Sequence, residues 1–137
     1  MNERINYYTE MFAVLADPME IYGWLIDLGK KLQQDPLSPA ARGERQRVSR
    51  CQFALYVDYE EGRFKAYSDA LIASGYAYLL LDIFNHMSWQ EAAQCTHDDF
   101  AVLRIEELLS FNRTNGFYQM IDMLIAMAAR QCADVSK

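Results

Sequence analysis

The apolar pattern of this 137-residue chain changes period once, and that change limits the folds open to it. Residues 3 to 15 place Ile5, Tyr8, Phe12 and Leu15 at three-and-four spacing, the stripe of an amphipathic helix. Cys51 to Asp58 alternates instead, with Cys51, Phe53, Leu55 and Val57 on one face and Gln52, Ala54, Tyr56 and Asp58 on the other, as in a half-buried strand. A turn at Tyr59-Glu60-Glu61-Gly62 leads into a second strand, Arg63 to Tyr67, with Phe64 and Ala66 on its apolar parity. Helical spacing then returns and persists to about Cys132. A hairpin set between helical segments is an α+β signature: a small antiparallel sheet, the hairpin plus a possible third strand, packed against several helices. The length suits one domain over residues 1–137, large enough to bury a core without disulfide or metal staples.

The helix ends carry their own signals. Asp17 can cap a helix of about four turns, Pro18 suits its first position, and Glu20 stands at capping-box distance. Its inward stripe reads Tyr22, Leu25, Ile26, Gly29 and Leu32, with Gly29 allowing a close neighbour. Ser68-Asp69 can cap a helix from Ala70 to about Asn85, apolar nearly all round and therefore central. Ser88 to Glu91 has capping-box spacing, and Thr96 to Asp99 opens another short helix. Asn112 to Gly116 reads as an interruption before a last helix with Phe117, Met120, Ile121, Leu124, Met127 and Ala128 on one stripe.

A net charge of -6 argues against a phosphate-backbone binder, because nucleic-acid affinity is built from many Lys and Arg contacts. No stretch approaches a bilayer-spanning length, so no membrane partner is expected. Against that acidic background, the periodicity stops from Gln33 to Gln46, where Asp35 to Pro39 and Gly43 supply turn signals for an exposed loop. Arg42, Arg45, Arg47 and Arg50 follow within nine residues against a single acid, Glu44.

Three widely spaced cysteines and no leader-like N-terminus point to a cytoplasmic chain with reduced thiols. Cys95 and His97 make only a two-ligand fragment where structural zinc needs four, so no metal is expected. His86 and His97 read as surface residues, and Glu60-Glu61 and Glu106-Glu107 as solvated acids. Cys95 and Cys132 fall within or at the ends of helical apolar patterns. Cys51 carries conflicting signals. Burial on an apolar strand face would quiet its thiol, whereas its place directly after four arginines would favour the thiolate.

Several motifs carry a family resemblance. Ile21 to Leu32, the Pro-containing loop, Val48-Ser49-Arg50-Cys51-Gln52, Ser68-Asp69-Ala70 with Ile72 and Gly75, and Arg113-x-x-Gly116 followed by Met120 stand in order. From about residue 8 to 130 the chain resembles the SufE family, the sulfur acceptors of iron–sulfur cluster assembly. The segment at Cys51 is similar to that family's Val-x-Gly-Cys-Gln, with Arg50 for its Gly, Phe53 for its usual Ser and Tyr56 for its Trp.

The resemblance implies that Cys51 takes sulfur from the persulfide of a cysteine desulfurase, accelerates that enzyme, and passes sulfur to a cluster-assembly scaffold. The pyridoxal phosphate belongs to the desulfurase, and no cofactor need bind this chain. It would be a covalent carrier and activator rather than a stand-alone enzyme, and family habit allows a homodimer. Arg42, Arg45, Arg47, Arg50, Asp69 and Arg113 are candidate partner contacts, with helix capping for Asp69 and an ion pair for Arg113 as their structural alternatives. Two other readings remain: an interaction module of the same fold that carries no sulfur, and a peroxide-reducing thiol protein with Cys95 or Cys132 as resolving cysteine.

Overall fold

The computed structural model describes residues 3–15 and 17–135. In chain order these form helices α1 (Glu3–Val14) and α2 (Pro18–Gln33), strands β1 (Leu55–Glu60) and β2 (Arg63–Ser68), then helices α3 (Leu71–Asn85), α4 (Trp89–Ala93), α5 (His97–Ala101) and α6 (Phe111–Val135). Single 3-10 turns lie at Pro39–Ala41, Glu44–Gln46 and Ile105–Glu107. The architecture is α+β, with one antiparallel hairpin against the helices.

Leu55 pairs with Ser68 at one end of the hairpin and Glu60 with Arg63 at the other. Glu61 and Gly62 make the turn with φ of 56° and 83°, the mirror-image geometry whose twist matches that of the flanking strands. β1 starts four residues later than the alternation suggests, because Cys51 to Phe53 are bends. Outside the ladder, side-chain parity no longer sets the face, and Phe53 is 38% exposed. The possible third strand is reduced to one bridge between Arg47 and Tyr56 and one hydrogen bond, from the Val48 N–H to the Leu55 carbonyl (2.8 Å).

α3 lies at the centre, buried along most of its length from Ala73 to Phe84, and packs on α2, β2 and α6. Its crossing with α2 is set by two glycines. A Cβ on Gly29 would stand 2.8 Å from the Leu71 carbonyl oxygen, and one on Gly75 only 2.1 Å from the Leu25 carbonyl oxygen. α1 is fastened to the same helix at Asp82, which accepts a 2.6 Å hydrogen bond from the buried Tyr8 hydroxyl and pairs with Arg4. Because α2 lies against this helix so closely, its buried side is Ile21, Leu25, Leu28, Gly29 and Leu32, rotated from the stripe expected of it. Tyr22 is only half-buried and donates to the Leu108 carbonyl at 2.6 Å.

Four helix starts illustrate the local signals. Asp17 caps α2 through the Met19 N–H (2.9 Å), and Ser88 with Glu91 forms the expected capping box. Asp69 does not cap α3: Ala70 occupies that position, and the buried Ser68 hydroxyl accepts from the Ala70 N–H (3.2 Å) while donating to the Ala54 carbonyl (2.6 Å). Nor do residues 112–116 interrupt the last helix. α6 begins at Phe111, and Ser110 is its cap, its hydroxyl accepting from the Arg113 N–H at 3.4 Å. The full expected stripe of α6 from Phe117 to Ala128 is buried.

The glycine crossing is open to test by paired substitution. Gly75→Ala should destabilise the protein by about 3 kcal/mol through overpacking. Gly23→Ala, on the exposed side of α2 with nothing within 4 Å of the new Cβ, should stabilise it by about 1 kcal/mol. Urea unfolding midpoints moving in opposite directions are expected; a Gly75→Ala protein as stable as the wild type would contradict the close crossing.

Candidate functional site

The segment from Gln34 to Arg50 has little regular structure, yet it is fastened along its length. Leu37 is fully buried, and its N–H donates to the Ala66 carbonyl of β2 (2.9 Å). Ser38 donates from its amide and hydroxyl to Glu60 (3.1 and 2.5 Å), which with Lys65 nearby holds that carboxyl below its usual range. Arg42 donates from Nε and Nη2 to the Leu37 carbonyl (3.0 and 2.8 Å), and its guanidinium stacks 3.6 Å from the centre of the Tyr67 ring. Gln46 donates to Asp58 at 3.0 Å, and Val48 is fully buried. The expected exposed loop is thus a strap lying on the hairpin, with the Leu37 and Val48 N–H groups bonded to the strands it crosses.

The strap ends in a tight turn, Val48 to Cys51, closed by the Cys51 N–H on the Val48 carbonyl (3.1 Å). Gln119 of α6 grips this turn from outside. Its Oε1 accepts from the Arg50 N–H (2.6 Å), and its Nε2 donates to Ser49 Oγ (2.9 Å). Arg50 stands where the SufE pattern has glycine. Its φ is outside the left-handed region, so the turn needs no glycine there.

The turn points Cys51 inward, to 3% exposure. Its Sγ lies 3.6 Å from the hydroxyl of Tyr76, which is fully buried on α3, and the backbone of Gly116 on α6 closes the niche. A Cβ on Gly116 would stand 2.8 Å from the Tyr76 hydroxyl and 3.2 Å from Cys51 Cβ, so only glycine lets turn, α3 and α6 meet there. Tyr76 is pushed well above the usual phenol range, first by burial and then by Cys51, with the positive charge of Arg113 acting in the opposite sense. Arg113 is half-buried and within electrostatic reach of the niche.

The other candidates divide by location. Arg42 is committed to the Leu37 carbonyl and Tyr67, and Arg47 is half-buried at the bridge to Tyr56. Arg45 and Arg50 are exposed, as is Asp69 before α3. Arg45 shares a surface cavity of about 290 Å³ with Gln46, Val57, Asp58, Met127 and Arg130. Phe53, two residues before β1, and Leu71, the first residue of α3, are exposed large apolar side chains. Tyr76, Gly116 as a niche residue, Gln119 and Arg130 were not anticipated from the sequence. A buried phenol seeks a partner, but α3 carries three hydroxyl residues, Ser74, Tyr76 and Tyr78, and nothing in the sequence singled out Tyr76.

The two remaining cysteines are differently placed. The Cys95 thiol is half-buried against the Glu91 carbonyl (3.4 Å) and Met87 Sδ (3.6 Å), and burial, then Asp99 and Glu91, push it up to about 11. Such a thiol is a poor nucleophile near neutrality. Cys132 is half-buried on α6. His97 meets Asp122 at 2.6 Å, and among the described residues no three His, Cys, Asp or Glu side chains converge as a metal site would require.

Residues 6–128 match SufE, the Fe-S metabolism associated domain. Over 119 residues the chain is 29% identical to an uncharacterized SufE-like protein of Synechocystis sp., covering 84% of this chain and 74% of that one. The fold is similar to the solution structure of a hypothetical protein from Thermus thermophilus, with a TM-score of 0.75 at 20% identity over 97% of this chain and 98% of that one. No described helix is long and apolar enough to cross a membrane. With the match spanning α1 to α6 and enclosing Cys51 and its niche, the chain belongs to the SufE family and has a role in Fe–S metabolism.

Proposed function

We propose that this chain is a sulfur carrier that accepts sulfur on Cys51 from a cysteine desulfurase, stimulates that enzyme by clearing its product, and delivers the sulfur to iron–sulfur cluster assembly. The observation that carries the reading is the placement of Cys51 at the end of the strapped turn, in a niche that shelters its sulfur. A persulfide needs such shelter, because stray thiols and oxidants consume it.

The transfer is a thiol–persulfide exchange without net oxidation. Cys51 loses its thiol proton, and the thiolate attacks the outer sulfur of the desulfurase persulfide. A new S–S bond forms on Cys51 as the S–S bond on the partner breaks. The partner's inner sulfur leaves with the electron pair as a thiolate. The sulfur then moves to the acceptor scaffold by the same kind of exchange. Pyridoxal phosphate chemistry stays on the desulfurase.

Such an exchange requires near in-line approach of two protein thiols, and a sulfur at 3% exposure does not offer that. Docking therefore has to release the turn. Arg45 and Arg50, exposed on the strap, and Arg113 beside the niche are the cations placed to meet an acidic partner surface around it. Asp69 and the exposed apolar residues Phe53 and Leu71 complete the candidate contact region, whereas the Arg42 side chain is committed to the Leu37 carbonyl and the Tyr67 ring and Arg47 is half-buried.

Incubation with a cysteine desulfurase and cysteine, followed by intact mass measurement without reductant, should show an adduct of about 32 Da on the wild type that Cys51→Ser lacks. An adduct persisting in Cys51→Ser would contradict the assignment. Binding to the desulfurase with no adduct on the wild type would favour the interaction module that carries no sulfur.

A further inference from the structure

Tyr76 has no role in the exchange just described, yet it is the side chain that meets the sulfur. Its hydroxyl is fully buried, and its hydrogen bond among the described residues is to Cys51 Sγ, at 3.6 Å. Its ring packs edge-on against Phe117, with centroids 5.8 Å apart, so the phenol is fixed from behind. In front of it the absent side chain of Gly116 leaves the space in which hydroxyl and Cys51 meet.

We propose that Tyr76 is a positioning residue for Cys51, its buried hydroxyl donating to Sγ and latching the turn in its inward state. The functional weight of this latch rests on the sulfur-carrier reading, but the positioning does not. If the turn swings outward, the buried phenol loses its hydrogen bond to Sγ, which penalises the open state. Gln119 adds the second hold, on Ser49 and on the Arg50 backbone. Cys51 is therefore gripped by α3 through its sulfur and by α6 through the two residues before it. Because Tyr76 is held protonated by its surroundings, it remains a donor through the physiological range. Sγ keeps acceptor lone pairs as thiol, thiolate or persulfide, so the same bond serves the empty and the loaded carrier.

The test compares alkylation by iodoacetamide in the full-length wild type and Tyr76→Phe, with each cysteine followed by peptide mass spectrometry. Rates are read at the alkaline plateau of the pH profile, where every exposed Cys51 is ionised and its rate reports opening alone. Cys51 should react about tenfold faster in Tyr76→Phe, the equivalent of about 1.4 kcal/mol in the opening equilibrium, while Cys95 and Cys132 stay within about twofold. A Cys51 rate within about twofold of the wild type overturns the proposal, and so does equal acceleration at all three cysteines, which signals general loosening.

Should Tyr76→Phe fail to fold, Cys51→Ser and Cys51→Ala replace it. Serine keeps an acceptor for the phenol and alanine does not, so the serine variant should unfold at higher urea. A serine variant no more stable than the alanine variant overturns the proposal. With desulfurase and cysteine, Tyr76→Phe should gain the sulfur adduct and lose it to a small thiol about tenfold faster than the wild type. Loss at the wild-type rate counts against the latch. Absence of any adduct on the wild type counts against the carrier reading and leaves the alkylation result standing.

Discussion

The contact between α2 and α3 at Gly29 and Gly75 is the constraint from which the rest of the site follows. With backbone carbonyl oxygens standing 2.8 Å and 2.1 Å from a Cβ added at these positions, the two helices cross at a distance that larger residues would forbid. That crossing sets α3 at the centre of the buried cluster, and the residue after Gly75 is Tyr76. The axial position and rotation of α3 are therefore coupled to where the phenol sits relative to the sulfur. Gly116 plays the corresponding part on α6, where losing a side chain within a helix costs about 1 kcal/mol and gains the approach of the Cys51 turn.

On that scaffold the strap from Gln34 to Arg50 works as a tether. Its contacts become more local to the site along the chain: Leu37 on β2, Arg42 on Tyr67, Gln46 on Asp58, Val48 on Leu55, and finally the Gln119 grip. The first four hold the strap to the hairpin and need not break for Cys51 to move. Only the closing turn, the Gln119 bonds and the Tyr76 contact must be released. On the proposed reading, this division confines the motion to a few residues while charge on Arg45 and Arg50 remains available to a partner.

Where sequence signals were local, they were legible. The caps at Asp17 and Ser88, the hairpin turn at Glu61-Gly62 and the stripe of α6 depend on neighbours a few residues away. The alternation through Cys51 and Phe53 misled because it continued past the residues that pair. The turn ahead of the bends before β1 is held by Gln119, some seventy residues away, which no period-two pattern records. Ser68-Asp69 looked like a capping pair, but the Ser68 hydroxyl is turned inward to the Ala54 carbonyl and the Ala70 N–H, and α3 starts without a side-chain cap. At residues 112–116 the polar composition hid a helix whose cap, Ser110, lies just before it, and whose glycine serves the niche rather than a turn. Cys51 itself stood out through its position and family pattern, whereas Tyr76 became visible only once α3 and α6 were brought together.

The central claim is that Cys51 is held inward in the free protein and released on docking. Alkylation of Cys51, followed at peptide level with and without a cysteine desulfurase, tests it most directly. The account predicts slow labelling of the free chain and a marked rise on adding the desulfurase, with Cys95 and Cys132 unchanged. Equal labelling of Cys51 in both states would contradict it.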